Sequence, residues 1–468
     1  MNSIHSMNRE PKTKGKNVVY AFEHKPVPIK KSGSSDDQSL TEREVQILKR
    51  LDQKLDGTLF KVGTEEVCFL NWVGVIGLGN RAIEILPKID YFRKQSEEDR
   101  NLVRDQLIYM LAATGEIPHH LVTKASLLSR RMPPLEVYIR LFVTEALRLL
   151  RRGLVHNYIK HEDEQTFLRG KLRITEQIRL TDRRIPRFAI RYQEHSPDNP
   201  LNRIIKDVAR MLRDVTKNYK NQRQLLYIDA ILEGVSYKKH TARDADNINL
   251  DRKTYGYEML LALCRLFLQK RIPDFSAGET PVIPILFDMN KLFERFIGQM
   301  LRRMVLRGEL PSFREVQLGK GGRYLLQRAN NKGREDILKL KPDIQLIETS
   351  NKALPSRNDR LSIIDTKWKP LDSQKKLHGI TVDDLYQMFA YTIKYQPRRT
   401  ILLYPKTINL KNGDGPLETF FVEENSPSEG KIEAWTVDLA DTNKNTFYDS
   451  IKGQLKKIVE WTVAKNGK

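Results

Sequence analysis

The stretch that most constrains this 468-residue chain is Leu361-Ser-Ile-Ile-Asp-Thr-Lys-Trp-Lys369, apolar enough for the middle of a sheet yet ending in charge. An unpaired charge is costly to bury, so such a strand needs partners for Asp365 and Lys367. Residues two apart on a strand share a face, and Lys367 therefore points the same way as Asp365. A second strand pattern, Pro342-Asp343-Ile-Gln-Leu-Ile347, precedes it across the polar loop ETSNKALPSRNDR. Two strands joined by a loop bring Asp343 near Asp365, so two carboxylates and an ammonium converge at a strand end. Carboxylate oxygens are hard ligands suited to Mg²⁺, which keeps several waters and binds phosphate oxygens alongside the protein. Such a metal lowers the pKa of a bound water and offsets charge building up on phosphorus, while Lys367 orients that water or stabilises the charge. The competing reading is a surface ion pair between Asp365 and Lys367, and the apolarity of the strand argues against it.

Charge composition says what kind of partner to expect. Lys and Arg number 81 against 59 Asp and Glu, a formal excess of +22, which points to a polyanion: nucleic acid, a ribosome-like particle or an anionic membrane. Cys68 and Cys264 lie far apart among apolar neighbours, which excludes zinc-finger and disulfide frameworks. No window reaches the roughly 18 apolar residues of a membrane span, and no N-terminal run has signal-peptide form. The expectation is a cytoplasmic protein with no membrane partner.

Periodicity divides the chain in three. Residues 1–95 read as a small, mainly β domain, with strand-like segments at 59–62, 67–76 and 82–89. Thr41 with Glu44 forms a capping box for a helix whose apolar positions are Val45, Leu48, Leu51 and Leu55. Gly77-Leu-Gly79-Asn-Arg-Ala82 fits the loose dinucleotide-binding pattern, but the β-branched Ile83-Glu-Ile85-Leu-Pro87 that follows is no helix, so a hairpin turn is expected. Residues 96–280 read as helical, with amphipathic segments around Leu102–Leu111 and Leu135–Leu150. Arginines concentrate between 169 and 191; Arg183, Arg184 and Arg187 are the candidate phosphate contacts, against the plainer reading of a solvated basic face. Pro273, Gly278 and Pro281 mark a boundary, and residues 281–468 alternate strand and helix as a mixed sheet flanked by helices. The chain as a whole is expected to be a multidomain α/β protein.

Two helices flank the acid pair in sequence. One begins Met289-Asn-Lys-Leu-Phe-Glu294, its buried stripe running Met289, Leu292, Phe293, Phe296, Ile297, Met300 and Leu301. The other carries Asp384-Leu-Tyr-Gln387-Met-Phe-Ala-Tyr391, where Gln387 and Tyr391 share a helix face. An amide and a phenol there can position a DNA backbone or base, although a tyrosine at helical spacing also serves simple packing.

The P-D at 342–343 and the D-x-K at 365–367, 22 positions on, resemble the PD-(D/E)xK nuclease motif. In that superfamily a third acid often stands on a preceding helix, which implies Glu294 as an additional catalytic and metal-binding residue; a solvated helix charge is the alternative. Q-x-x-x-Y is similar to the helix motif of RecB-type nucleases. The resemblance extends along the chain. Val73-Gly-Val-Ile-Gly-Leu-Gly, Ile83-Glu-Ile-Leu-Pro-Lys-Ile89, RNLVRDQLIYML, Gly170-Lys-Leu, Ser196-Pro-Asp-Asn-Pro-Leu-Asn-Arg203, FDMNKLFE and PD…DTK…DLYQMFAY together resemble the McrC family, nuclease subunits of McrBC modification-dependent restriction systems. That resemblance implies Mg²⁺-dependent hydrolysis of double-stranded DNA by Asp343, Asp365, Lys367 and Glu294, with Gln387 and Tyr391 positioning substrate. It also implies a partner, an McrB-like AAA+ GTPase ring that recognises DNA containing methylated cytosine and binds GTP, with residues 1–95 docking into the ring and stimulating its GTPase. The chain itself has no G-x-x-x-x-G-K-[ST] loop, since Gly319-Lys-Gly-Gly322 lacks the spacing. Two alternatives are a free-standing RecB-like nuclease and a non-catalytic adaptor of an AAA+ ring.

Overall fold

The structure, a computed structural model, describes residues 18–30, 38–53, 57–78, 81–88, 97–117, 134–179, 187–269, 276–277, 280–330, 333–349, 361–407, 410, 415–422, 430–440 and 444–461. C-terminal to residue 288 the chain runs as helix α1 (Met289–Leu306), strand β1 (Phe313–Leu318), hairpin strands β2 (Arg323–Asn330) and β3 (Gly333–Leu340), and strands β4 (Ile344–Glu348) and β5 (Leu361–Thr366). Helix α2 (Val382–Tyr395), strands β6 (Arg399–Pro405), β7 (Glu418–Phe421) and β8 (Lys431–Val437), and helix α3 (Lys444–Val459) follow. The apolar run at 361–366 is an interior strand, as its composition demands: the six-stranded sheet has the order β1-β4-β5-β6-β8-β7. β1, β4 and β5 pair antiparallel, whereas β5, β6 and β8 are parallel. The β5-to-β6 connection is α2, the crossover that a parallel pair requires.

α2 and the sheet share a core that includes Ile363, Met388, Tyr391, Leu402 and Tyr404. Its start is set by a capping box between Thr381 and Asp384, and its end by Gln396 in the left-handed conformation. α1 begins at Asp288, whose carboxylate accepts from Asn290 N at 3.0 Å. Its stripe from Met289 to Leu301 is buried at the expected spacing, and full burial of each large apolar side chain is worth about 1.5–3 kcal/mol. The close approach of α1 to β1 depends on Gly298, where a Cβ would meet Leu318 Cδ2 at 2.6 Å.

The N-terminal residues form two four-stranded sheets. One has the order Leu40–Thr41, Pro26–Lys30, Glu66–Phe69, Phe60–Val62. The helix Glu42–Gln53 carries the expected capping box, with Thr41 N donating to Glu44 Oε2 at 2.8 Å and Glu44 N to Thr41 Oγ1 at 3.2 Å. In the other sheet Val18–Phe22, Arg81–Leu86 and Trp72–Leu78 lie side by side, so strands rather than a strand and helix flank the glycine-rich turn. Its fourth strand is Ile283–Asp288, the segment that leads directly into α1.

Between them, helices Pro134–Leu150, Pro200–Val215, Tyr219–Ile231 and Glu258–Gln269 match the helical reading of the middle. Buried Glu136 ties three of them, accepting from Thr216 Oγ1 and Asn221 Nδ2, both at 2.6 Å, and from Lys217 N at 2.7 Å. The helical expectation is corrected at Asn157–Gln165, Lys171–Leu172 and Phe188–Ser196, which form a three-stranded antiparallel sheet. The strand Asn157–Gln165 is polar and largely exposed, so it lacks the apolar alternation that marks a strand in sequence.

Among the described residues the chain packs as two compact units, both discontinuous in sequence. One is built around 75–83 and 131–285, the other around 19–74, 84–130 and 286–468. This is a division of packing, whereas the division at 95 and 280 read from periodicity runs along the chain. Among the described residues no helix is long and apolar enough to cross a membrane.

Candidate active site

β4 and β5 pair with Ile344 opposite Ile364, and one further step of the same register sets Asp343 across from Asp365. Thr366 closes this end of the pair, its N and Oγ1 donating to Asp343 Oδ2 at 2.8 and 2.9 Å. Asp365 is wholly buried, and its Oδ2 forms an ion pair with Lys367, two residues along the same face. Lys367 Nζ also donates to Gln387 Oε1 at 2.8 Å. The Gln387 amide nitrogen donates to Tyr391 OH at 2.9 Å and, more weakly at 3.4 Å, to Asp365 Oδ1. Tyr391 in turn donates to the Lys341 carbonyl at 3.0 Å, one residue before Pro342-Asp343. The i, i+4 pair on α2 thus connects the start of β4 to the end of β5.

The charges here strain against one another. Burial, and next the charge of Asp343, push Glu294 up to about 7. Burial raises Asp343 despite the two bonds from Thr366, and burial together with Asp343 raises Asp365. Burial works against the Lys367 ammonium, but Asp365 and Asp343 more than offset it and hold the lysine above its ordinary value. Carboxylates that disfavour one another's ionisation gain from a cation between them. Among the described residues no group of three His, Cys, Asp or Glu is gathered closely enough to hold a metal. The pair Asp343 and Asp365 nevertheless fits Mg²⁺, which binds through one or two carboxylates and otherwise keeps water or substrate phosphate as ligands. Glu294 stands within electrostatic reach of Asp343.

The structure therefore brings Asp343, Asp365, Lys367, Gln387 and Tyr391 into one network with Glu294 beside it. Arg183 and Arg184 lie outside the described residues. Arg187 is exposed and belongs to the other compact unit. Of the neighbouring arginines, Arg173 and Arg191 both pair with Glu162, at 3.1 and 2.7 Å, which reduces the charge this stretch offers to phosphate.

Four contributors, Thr366, Asp384, Trp368 and Glu23, carry little or no signal in the sequence. Thr366 is the middle residue of D-x-K, which no pattern singles out. Asp384, read only as part of the helix, accepts from Tyr404 OH at 3.2 Å and pairs with Lys369 at 3.5 Å. Trp368 packs on Phe293, next to Glu294, with ring centroids 5.4 Å apart. Its indole donates at 3.0 Å to Glu23 Oε2, which also accepts from Lys88 N at 3.1 Å. Glu23 is wholly buried, and desolvation pushes it up to about 8. Its signal in sequence is a lone acid closing an apolar strand, Val18–Phe22.

A sequence model of the family described as "McrBC 5-methylcytosine restriction system component" matches residues 67–405. A search of curated proteins returned no match. Among solved structures, a chain of the refined half-complex from the tetradecameric assembly of Thermococcus gammatolerans McrB AAA+ hexamers with bound McrC is similar with a TM-score of 0.65. It is 20% identical, with 94% of this chain and 99% of that chain covered. A chain of the cryo-EM structure of the T. gammatolerans McrBC complex aligns at 22% identity and a TM-score of 0.48, over 61% of this chain and 87% of that one.

Proposed function

The chain belongs to the McrBC 5-methylcytosine restriction system component family, and from that premise we propose that it is the DNA-cutting subunit of such a system. The carrying observation is the meeting of Asp343 and Asp365 across the β4–β5 pair, with Lys367 held between Asp365 and Gln387. In this reading residues 281–468 are a PD-(D/E)xK endonuclease that hydrolyses phosphodiesters of double-stranded DNA. Asp343 and Asp365 would hold Mg²⁺, with Glu294 assisting; the ion supplies Lewis acidity and a water of lowered pKa. Thr366 fixes the rotamer of Asp343. With Asp365 holding the ion, the Lys367 ammonium, still bonded to Gln387, would face the phosphate oxygens, where charge grows in the transition state. Gln387, held by Tyr391, keeps that ammonium aimed and excludes an alternative partner for it.

The similar solved chain comes from an assembly of McrB AAA+ hexamers with bound McrC. On that ground the partner of this chain is an McrB-like AAA+ ring, and the resemblance to the McrC family adds that this ring binds GTP and selects methylcytosine-containing DNA. Residues 1–95 contact the ring and stimulate it, and residues 96–280, including Arg183, Arg184 and Arg187, face DNA.

The test is reconstitution with such a partner, GTP, Mg²⁺ and methylated duplex. Asp365→Ala should lower cutting by at least about 10²-fold while stimulation of the GTPase survives. Intact cutting by that variant would leave the chain a non-catalytic adaptor. Robust cutting by the chain alone would favour a free-standing RecB-like nuclease.

A further inference from the structure

The hairpin β2–β3 is not part of the six-stranded sheet; it stands as a separate two-stranded ribbon leaning on α2. Its eight-residue strands are roughly 25 Å long, and between 323–329 and 334–340 only Leu325, Ile337 and Leu340 are even partly covered. Leu326 is 52% and Leu338 60% exposed, and Leu338 sits at φ 58°, although the strands keep one register from Arg323–Leu340 to Asn330–Gly333. An isolated two-stranded ribbon is marginal in water, so an element this exposed is built to be covered by something.

Charge identifies what covers it. Residues 319–341 contain seven Lys or Arg and two acids. Both acids are already engaged on the ribbon itself, Glu335 by Arg328 at 2.7 Å and Asp336 by the Gln327 amide at 2.9 Å. Among the described residues no carboxylate pairs with Lys320, Arg323, Arg334 or Lys341.

The root of the ribbon is a cleft of about 460 Å³ whose charged lining is Arg314, Lys320 and Arg323, with no acid. The Arg323 guanidinium lies over the Tyr395 ring at 5.1 Å, and Gly322 N donates to Tyr395 OH at 3.5 Å. Gln345, whose amide donates to the Lys320 carbonyl, also lines it. Gln345 is two residues beyond Asp343 on the same strand face, and Tyr395 is one helical turn beyond Tyr391. The cleft is thus one step from the acid pair along both β4 and α2. Gly322 faces open space, with no protein atom within 4 Å of a Cβ placed there.

We propose that the β2–β3 ribbon and the basic cleft at its root form the arm by which this chain grips duplex DNA flanking the cut. The cleft takes a backbone phosphate, and the ribbon lies in the major groove, which is about 12 Å wide and admits a two-stranded β-ribbon. The proposal rests on the nuclease reading and deepens it, because the arm is rooted at the strand that delivers Asp343. The contacts of Lys320 and Arg323 at its root are to phosphate, so they hold and orient the duplex without reading its sequence.

The experiment measures binding of the full chain, in EDTA so that nothing is cut, to a fluorescein-labelled duplex across a salt series. Lys320→Ala with Arg323→Ala should reduce the slope of log affinity against log salt by about 2, close to one for each phosphate no longer neutralised. Arg334→Ala with Lys339→Ala changes only exposed ribbon positions, leaves the unfolding midpoint in place and should lower the slope in the same direction. Wild-type slope and affinity in both double variants would overturn the proposal. So would variants that shift the sedimentation of the free chain but leave the DNA slope unchanged, since the ribbon would then meet a second copy of this chain. Cutting assays on the reconstituted complex separate the two readings. If wild type fails to cut while the arm variants lose slope, the nuclease reading fails and the arm remains a DNA contact. If Asp365→Ala abolishes cutting while both arm variants cut and bind as wild type, only the arm fails.

Discussion

Lys367 touches an acid on one side and an amide on the other, and these contacts assign it work that neither strand register nor charge count would. Removing its ammonium by Lys367→Ala should cost about 10²–10³-fold in the cutting rate of the complete complex, the scale of losing one pre-aimed charge at a transition state. Lys367→Arg keeps the charge but not the compact head, and it should recover less than a tenth of that loss because a planar guanidinium does not fit between Asp365 and Gln387. The raised acids give the pH dependence a definite sign. Glu294, pushed up to about 7, and the raised Asp343 and Asp365 must be ionised to serve the reaction. Cutting should therefore climb with pH through about 7 and fall away below it, and a rate profile taken at two Mg²⁺ concentrations should move to lower pH at the higher one, because the cation favours the charged forms. Stability runs the other way. Groups raised in the folded state bind more protons there than when unfolded, so the metal-free protein should lose stability as pH rises from about 4.5 to 7.

At the scale of elements, two contacts set how the helices and strands deliver these groups. α1 packs on β1 with residue 298 facing the Leu318 side chain, and Gly298→Val would drive a branched carbon into its methyl groups. That overpacking should cost about 1–3 kcal/mol, seen as a lower midpoint in chemical denaturation, with cutting falling as Glu294 is displaced. The second contact is the buried Glu23 at the end of Val18–Phe22, bonded to the Trp368 indole beside Lys367. Its folded value of about 8 lies above the ordinary 4.5, so its contribution is favourable at low pH and is lost as pH climbs between those values. Glu23→Gln keeps the acceptor and never ionises. Its unfolding midpoint should match wild type near pH 5 and exceed it at pH 9, and a midpoint below wild type at pH 9 would contradict a buried, protonated Glu23.

At the scale of the whole molecule the excess of +22 finds several places to act. In the arginine-rich stretch 169–191 part of it is spent on Glu162 and Glu176, whereas around the β2–β3 ribbon much of it is uncompensated. A chain that holds DNA through phosphate contacts should lose affinity steeply with salt, by about 10³-fold or more between 50 and 200 mM if six or more phosphates are engaged. Titration of a plain duplex with the full chain checks this, and a shallow dependence would place the basic surface elsewhere than on DNA.

What the sequence determined by itself was whatever is encoded locally. The stripe of Met289, Leu292, Phe293 and Phe296, the capping box of Thr41 and Glu44, the hairpin after Val73–Ile76 and the apolar run ending in Asp365 and Lys367 each follow from spacing and residue type within one element, and each stands where that spacing puts it. The approach of Asp343 to Asp365 was legible because consecutive strands usually pair as neighbours and their side chains alternate with a fixed period. Only the tertiary structure decided the rest, because it depends on pairings between distant segments that carry no local mark. The polar strand at 157–165 has no apolar alternation to reveal it, and Phe188–Ser196, which opens on Phe188, Ile190 and Tyr192, turns wholly polar in its second half. Ile283–Asp288 joins strands two hundred residues earlier in the chain through backbone hydrogen bonds, which are the same for any side chain. Thr366, Asp384, Glu23 and the ribbon acquire their roles from what lies beside them in space, and their neighbours along the chain give no sign of it.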